Sequence, residues 1–162
     1  MNTFRRGVLL CLLLAATAGC DRVTKHFAMT SLAGTAPQSF LADTVRLAYH
    51  ENPGGFLGAG AAWQPHVRGL VFQFANTVFL LTIFVIAGRY QWSRFGIAGM
   101  AMFLAGGLSN LIDRVALGQV VDFMNVGIGP LRTGIFNVAD LAIMAGVAVL
   151  LIDQRRQLRA VW

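Results

Sequence analysis

The sequence predicts a mainly α-helical, polytopic membrane protein, and three observations carry that prediction. The 162 residues are 56% hydrophobic and only 12% charged, with a mean hydropathy of +0.63. A soluble domain would be about half apolar but about 25% charged, so the missing charge is the stronger departure. Second, the apolar residues gather in four runs, each near the roughly 20 residues that cross a hydrocarbon core as a helix. Third, basic residues flank those runs in short clusters: Arg5-Arg6, Arg89 with Arg94, and Arg155-Arg156 with Arg159. The length fits a single integral-membrane domain over 1–162.

The first run, about 7–28, is broken by Asp21, Arg22 and Lys25. The second, about 70–88, is clean. The third, about 95–112, carries Gly96, Gly99, Gly106 and Gly107, small residues that let helices approach closely. The fourth, about 135–152, contains Asp140. Between the first two runs, in the segment 29–68, Thr44 to His50 places apolar residues at alternate positions, which predicts a half-buried strand. Asn52-Pro53-Gly54-Gly55 then supplies a turn, and the Gly- and Ala-rich stretch Phe56 to Ala62 reads as a second strand packing back. The segment 115–134 reads as lying along the membrane interface, anchored by Phe123 and Met124.

Placing the amino terminus in the cytoplasm puts Arg5, Arg6, Arg89, Arg94, Arg155, Arg156 and Arg159 inside, with Asp153 their one acid. The other side holds Arg22, Lys25, Arg46, Arg68, Arg114 and Arg132 against Asp21, Asp43, Glu51, Asp113, Asp122 and Asp140, a balanced set. That is the positive-inside pattern, with both termini cytoplasmic. It also explains the net charge of +6 and the pI near 10.7 without nucleic acid, since the cations flank spans and do not interleave with aromatics. Six of the seven acids then gather at one membrane face, which locates a site at the external bilayer surface.

Two of those acids stand apart. Asp122 in Val120-Val121-Asp122-Phe123 and Asp140 in Phe136-Asn137-Val138-Ala139-Asp140 lie in apolar surroundings with no adjacent cation. An ionisable group inside a span costs roughly 2.5–3.5 kcal/mol even on the lenient insertion scale, so its default reading is functional. Two carboxyls within reach share one proton, and such a pair activates water for peptide hydrolysis. Around them, Asn137 and Asp140 are three apart and are expected on one helix face. Gly106, Asn110 and Arg114 follow at spacings of four with Asp113 beside them, and Asp21 and Lys25 have ion-pair spacing. Taken one pair at a time, such groups more often only tie spans together. Cys11 and Cys20 read as small buried apolar residues, and His26, His50 and His66 as locally bonded groups, so no metal site is expected.

Five motifs occur in order: Asp21-Arg22-Val23-Thr24-Lys25, Glu51-Asn52-Pro53-Gly54, Gly106-Gly107-Leu108-Ser109-Asn110-Leu111-Ile112-Asp113-Arg114, Val120-Val121-Asp122-Phe123 and Phe136-Asn137-Val138-Ala139-Asp140. Together they resemble the bacterial lipoprotein signal peptidase, or signal peptidase II, over nearly the whole chain. The resemblance implies four transmembrane helices, a small external β-cradle and a short periplasmic helix in the inner membrane. It implies an aspartic endopeptidase that cuts before a diacylglyceryl-modified cysteine, with Asp122 and Asp140 catalytic. Asn52, Gly54, Gly106, Asn110, Arg114, Asn137 and Ala139 would line or support the substrate pocket. Asp113 would steady Asn110 and Arg114, and Asp21 and Lys25 would hold the first helix. The partners implied are lipidated prolipoproteins and membrane lipid, acting on a monomer, with no metal or organic cofactor. The chain departs from the family pattern at Gly55-Phe56-Leu57-Gly58, at Ala105 and Ser109 where glycines are common, and at Leu141.

Two other readings compete. Thr17-Ala18-Gly19-Cys20, after Arg5-Arg6 and an apolar run, resembles a lipoprotein signal ending at an acylated Cys20. A transport or assembly subunit would also carry intramembrane charges, but it predicts polar groups through the inner halves of the spans, and these are nearly bare.

Overall fold

The structure, a computed structural model, describes residues 3–54, 62–89 and 92–159. Four long helices carry a four-stranded antiparallel sheet at one end. Helix α1 (Thr3–Phe27) runs into a π-helical turn at Ala28–Leu32; β1 (Gln38–Phe40) and β2 (Val45–Asn52) follow. Helices α2 (Pro65–Arg89) and α3 (Arg94–Leu117) come next, then β3 (Val120–Ile128), β4 (Leu131–Arg132) and α4 (Val138–Arg159). By length and composition, residues Phe4–Leu32 and Arg94–Leu117 can each cross a membrane, and α2 holds a shorter apolar stretch, Gly69–Val85.

Helix α3 is the element on which α1, α2 and α4 all pack. Its ends follow from local chemistry. Ser93 caps the start, its Oγ accepting from the amides of Phe95 and Gly96, and also donates to Asp153 of α4. At the other end Gly118, at φ +74°, takes the left-handed conformation that closes the helix, its N–H donating to the Arg114 carbonyl. Small residues then let the neighbours close in. A Cβ on Gly99 would sit 2.9 Å from the Gly146 carbonyl, and one on Gly146 2.6 Å from the Gly99 carbonyl. Gly106 lies against the Ala139 carbonyl, and Gly107 against Leu80 of α2. All four glycines expected to permit close approach are buried.

The end of the bundle nearest the sheet is held by charge. Lys25 Nζ lies 2.7 Å from both Asp21 and Asp113, and Arg22 reaches Asp113 at 2.6 Å. Ser109 donates to Asp21 at 2.6 Å and accepts from Arg22, so its hydroxyl is absorbed into this network. The other oxygen of Asp21 accepts the amide of Ala139 at 2.8 Å, satisfying one of the orphan donors at the start of α4. Two cations and two acids thus join α1, α3 and α4.

The sheet order is β1-β2-β3-β4. β2 is the predicted strand, extended to Asn52; its edge partner is Gln38–Phe40, and its other partner is β3. Phe56 to Gly60 and Ala61 lie outside the described residues, so the expected second strand there is not placed. The expectation for 115–134 is corrected: Val120–Ile128 is a central strand, and Phe123 is buried with Val121, Ala28 and Leu32, facing away from any interface. A strand paired on both sides satisfies its backbone polar groups, which an extended interfacial segment would not. Among the described residues, the one short helical piece is the π-turn continuing α1, so a separate periplasmic helix is not placed. The sheet matters because the register pairs His50 with Asp122 and Asn52 with Val120, fixing where Asn52 and Asp122 stand.

Two stability outcomes follow. Gly146→Ala should cost about 1–3 kcal/mol through overpacking against α3, whereas Gly19→Ala, whose Cβ meets nothing within 4 Å, should not destabilise. Thermal unfolding in detergent compares them, and equal midpoints would count against the close α3–α4 contact. Lys25→Met leaves two buried carboxylates short of a cation and should cost about 3–5 kcal/mol by the same measurement.

Candidate active site

Asp122 is carried by the buried first half of β3 and is 1% exposed. Asp140 is in the first turn of α4. Between them sits Asn137, 0% exposed, which touches both. Its Nδ2 donates to Asp122 Oδ1 at 2.6 Å, while its Oδ1 accepts the backbone amide of Asp140 at 2.9 Å. The backbone amide of Asn137 returns a bond to Asp140 Oδ2 at 3.2 Å. Those last two bonds form a reciprocal cap, with Asn137 as cap and Asp140 three residues on. This corrects the expectation that both lie on one helix face from a start near 135. The helix begins at Val138 because its first amides are satisfied by side chains, so Asn137 stands outside it.

The remaining bonds fix the two carboxyls. Asn52 Nδ2 donates to Asp122 Oδ2 at 2.9 Å, and Asn110 Nδ2 to Asp140 Oδ1 at 2.8 Å. Each of the four carboxyl oxygens therefore accepts one protein hydrogen bond and keeps a lone pair for a proton, water or substrate. Asn110 is held in turn: its Oδ1 accepts from Lys25 at 2.9 Å and from Asn137 at 3.2 Å. The charged network of α1 and α3 thereby reaches the pair through Asn110. Asn52 is fixed by the turn after β2, where its Oδ1 accepts the Gly54 amide. Arg114 closes that turn onto α3, donating to the carbonyls of Gly54 and Asn110 at 3.2 Å each. Burial pushes the Asp122 carboxyl up to about 6; the charge of Asp140 adds to this and the bonds from Asn52 and Asn137 oppose it.

Asp122 and Asp140 line a cavity of about 900 Å³, whose other walls are mostly apolar side chains of α2, β3, α4 and the segment just before α4. Asn52, Asn110 and Arg114 line it too, and Leu141 forms part of the apolar wall. Gly54, Gly106, Asn137, Ala139, Asp21, Lys25 and Asp113 lie behind this lining. Gly106 and Ala139 allow α3 and α4 to touch, and Asp113 bonds the cations at a remove from the cavity. Sequence reasoning passed over Gln73 and Asn76 by reading the second run as clean. Two carboxamides three apart in an apolar helix were the available signal. Cys20 lies within the continuous helix α1, and neither cysteine is buried as expected: both are exposed on its surface.

The sequence profile of signal peptidase (SPase) II matches residues 13–156. The chain is 36% identical over 150 residues to the lipoprotein signal peptidase of Desulforapulum autotrophicum, covering 92% of both. It is 29% identical over 147 residues to that of Enterococcus faecalis, covering 90% of this chain and 86% of the other. A bacterial membrane enzyme solved by the in meso method at 1.9 Å superposes with a TM-score of 0.77 at 25% identity, covering 88% of this chain and 90% of that one. With more than half its length under one family profile, this chain belongs to the signal peptidase II family.

Proposed function

We propose that Asp122 and Asp140 are the catalytic pair with which this signal peptidase removes the signal peptide from diacylglyceryl-modified prolipoproteins, cutting on the amino side of the lipidated cysteine. The single observation that carries the reading is the convergence of both carboxyls on Asn137 at the wall of a largely apolar cavity. Two acids held this close share a proton across a working pH range. The ionised member takes a proton from water as the water attacks the scissile carbonyl carbon. The protonated member gives its proton to the carbonyl oxygen. Collapse of the resulting diol returns a proton to the leaving amine and restores the pair. The proton belongs to the couple, and neither aspartate is assigned acid or base alone.

The rest of the site serves this chemistry. Asn52, Asn110 and Asn137 aim the carboxyls, and Arg114 with Gly54 braces the turn that carries Asn52. Asp21, Lys25 and Asp113 keep α1 against the other helices. In this reading the four helices each span the inner membrane as one domain, with both termini cytoplasmic and the pair at the periplasmic face. The clustered cations beside the spans support that orientation. Lipid and the acyl chains of the substrate occupy the apolar side of the cavity, a monomer suffices, and the acids activate water without a metal or organic cofactor.

Asp122→Asn and Asp140→Asn should each lower cleavage of a lipidated precursor at least about 100-fold while the protein accumulates normally. Full cleavage by either variant, assayed with purified protein in detergent, would remove the assignment. The pH profile of kcat/KM should be bell-shaped. It rises as the first carboxyl ionises and falls as the pair loses its last proton, with the falling limb at or above about pH 6 because Asp122 is raised. A profile that only rises with pH would contradict a shared proton.

A further inference from the structure

Helix α2 carries three neighbouring polar side chains in its apolar stretch, and two of them are accounted for. Gln73 Nε2 donates to the Arg114 carbonyl at 2.8 Å, and Thr77 Oγ1 donates back to the Gln73 carbonyl at 2.6 Å. The third, Asn76, is half-buried and lines the cavity that holds both aspartates. Among the described residues, none hydrogen-bonds its carboxamide. An amide set in an apolar wall gains nothing there without a partner, and Asn76 has apolar neighbours at Phe72 and Ala75 that show what the wall otherwise uses.

Its level is set by two contacts between α2 and α3. Gln73 lies beside Arg114, and Leu80 lies against Gly107, where a Cβ would meet its Cδ2 at 2.6 Å. The helices run antiparallel, so Asn76, three residues past Gln73 and four short of Leu80, stands level with Asn110 and Leu111. Asn110 bonds Asp140 Oδ1. The α2 wall therefore presents an unoccupied carboxamide across the cavity from the reacting carboxyls, at their own height.

We propose that Asn76 is a substrate-binding residue whose carboxamide N–H donates to a carbonyl oxygen of the lipidated precursor beside the cut. This rests on the peptidase reading above and adds a contact from a helix that supplies none of the residues bonded to the pair. Such a carbonyl comes either from the peptide backbone or from an acyl ester of the diacylglyceryl group. Both are acceptors without an apolar equivalent, and a hydrogen bond made only with substrate raises kcat/KM.

The test compares wild type with Asn76→Leu, on a precursor carrying a diacylglyceryl group and on its ether-linked counterpart, in detergent. Leucine has a similar volume and suits an apolar wall, so the thermal midpoint should hold or rise. The kcat/KM for the ester-linked precursor should fall about tenfold, the worth of one hydrogen bond. A backbone partner leaves that tenfold difference intact on the ether substrate. An ester partner makes wild type lose the same factor there, with no further loss in the variant. Either pattern supports the contact. Wild-type kcat/KM in Asn76→Leu overturns it, as does a loss matched by a fall in thermal midpoint. If wild type cuts neither precursor, the peptidase reading itself fails.

Discussion

One buried carboxamide, that of Asn137, organises the candidate site. It donates to Asp122, accepts from the amide of Asp140, and its own backbone amide bonds the Asp140 carboxyl. The strand β3 and the helix α4, which follow one another in the chain with only β4 between, are thereby held together through a single side chain. The position is demanding because Asn137 also bonds Asn110 and the Val121 carbonyl, so moving it would break contacts to three elements. Interactions this interdependent are worth more together than pairwise deletions would indicate.

That arrangement depends on a second layer. Asp21, Lys25 and Asp113 are buried, and buried charge is tolerable only where every partner is in place. Lys25 meets this condition with two carboxylates and the Asn110 carbonyl oxygen. The bonds from Lys25 through Asn110 to Asp140, and from Asp21 to the Ala139 amide, connect the anchoring of the helices to the placement of the acids. Gly106 and Ala139 supply the room this requires, since a larger residue at the crossing would push α4 and its first turn away. The cavity opens where α2 and α4, both packed on α3, leave a space lined mostly by apolar groups.

The sheet has the complementary task of holding Asn52 and Asp122 over the helix ends. Its far hairpin is strained, with Leu41, Ala42 and Asp43 all at positive φ. Asp43 compensates through a two-pronged bond to Arg46, and its backbone carbonyl accepts from Arg132. Arg46 and Ser39 hold the Asp43 carboxyl well below the usual carboxylate range. Strain at the tip is thus separated from the regular strand segment that carries Asp122.

Much was legible in the chain alone. Length, hydropathy and basic flanks determined the helical membrane class, because a hydrocarbon core admits few solutions for a polar backbone. The isolation of Asp122 and Asp140 among apolar neighbours marked them, since an unneeded charge there is costly. The glycines of α3 signalled close packing correctly. Tertiary structure decided what depends on contacts distant in sequence. Phe123 turned inward because β3 gained two strand partners, which no local pattern encodes. Asn137 fell outside α4 because a reciprocal cap outcompeted one more turn of helix. Asn76 gained meaning only from its height against Asn110 on another helix, a matter of packing register that hydropathy does not record.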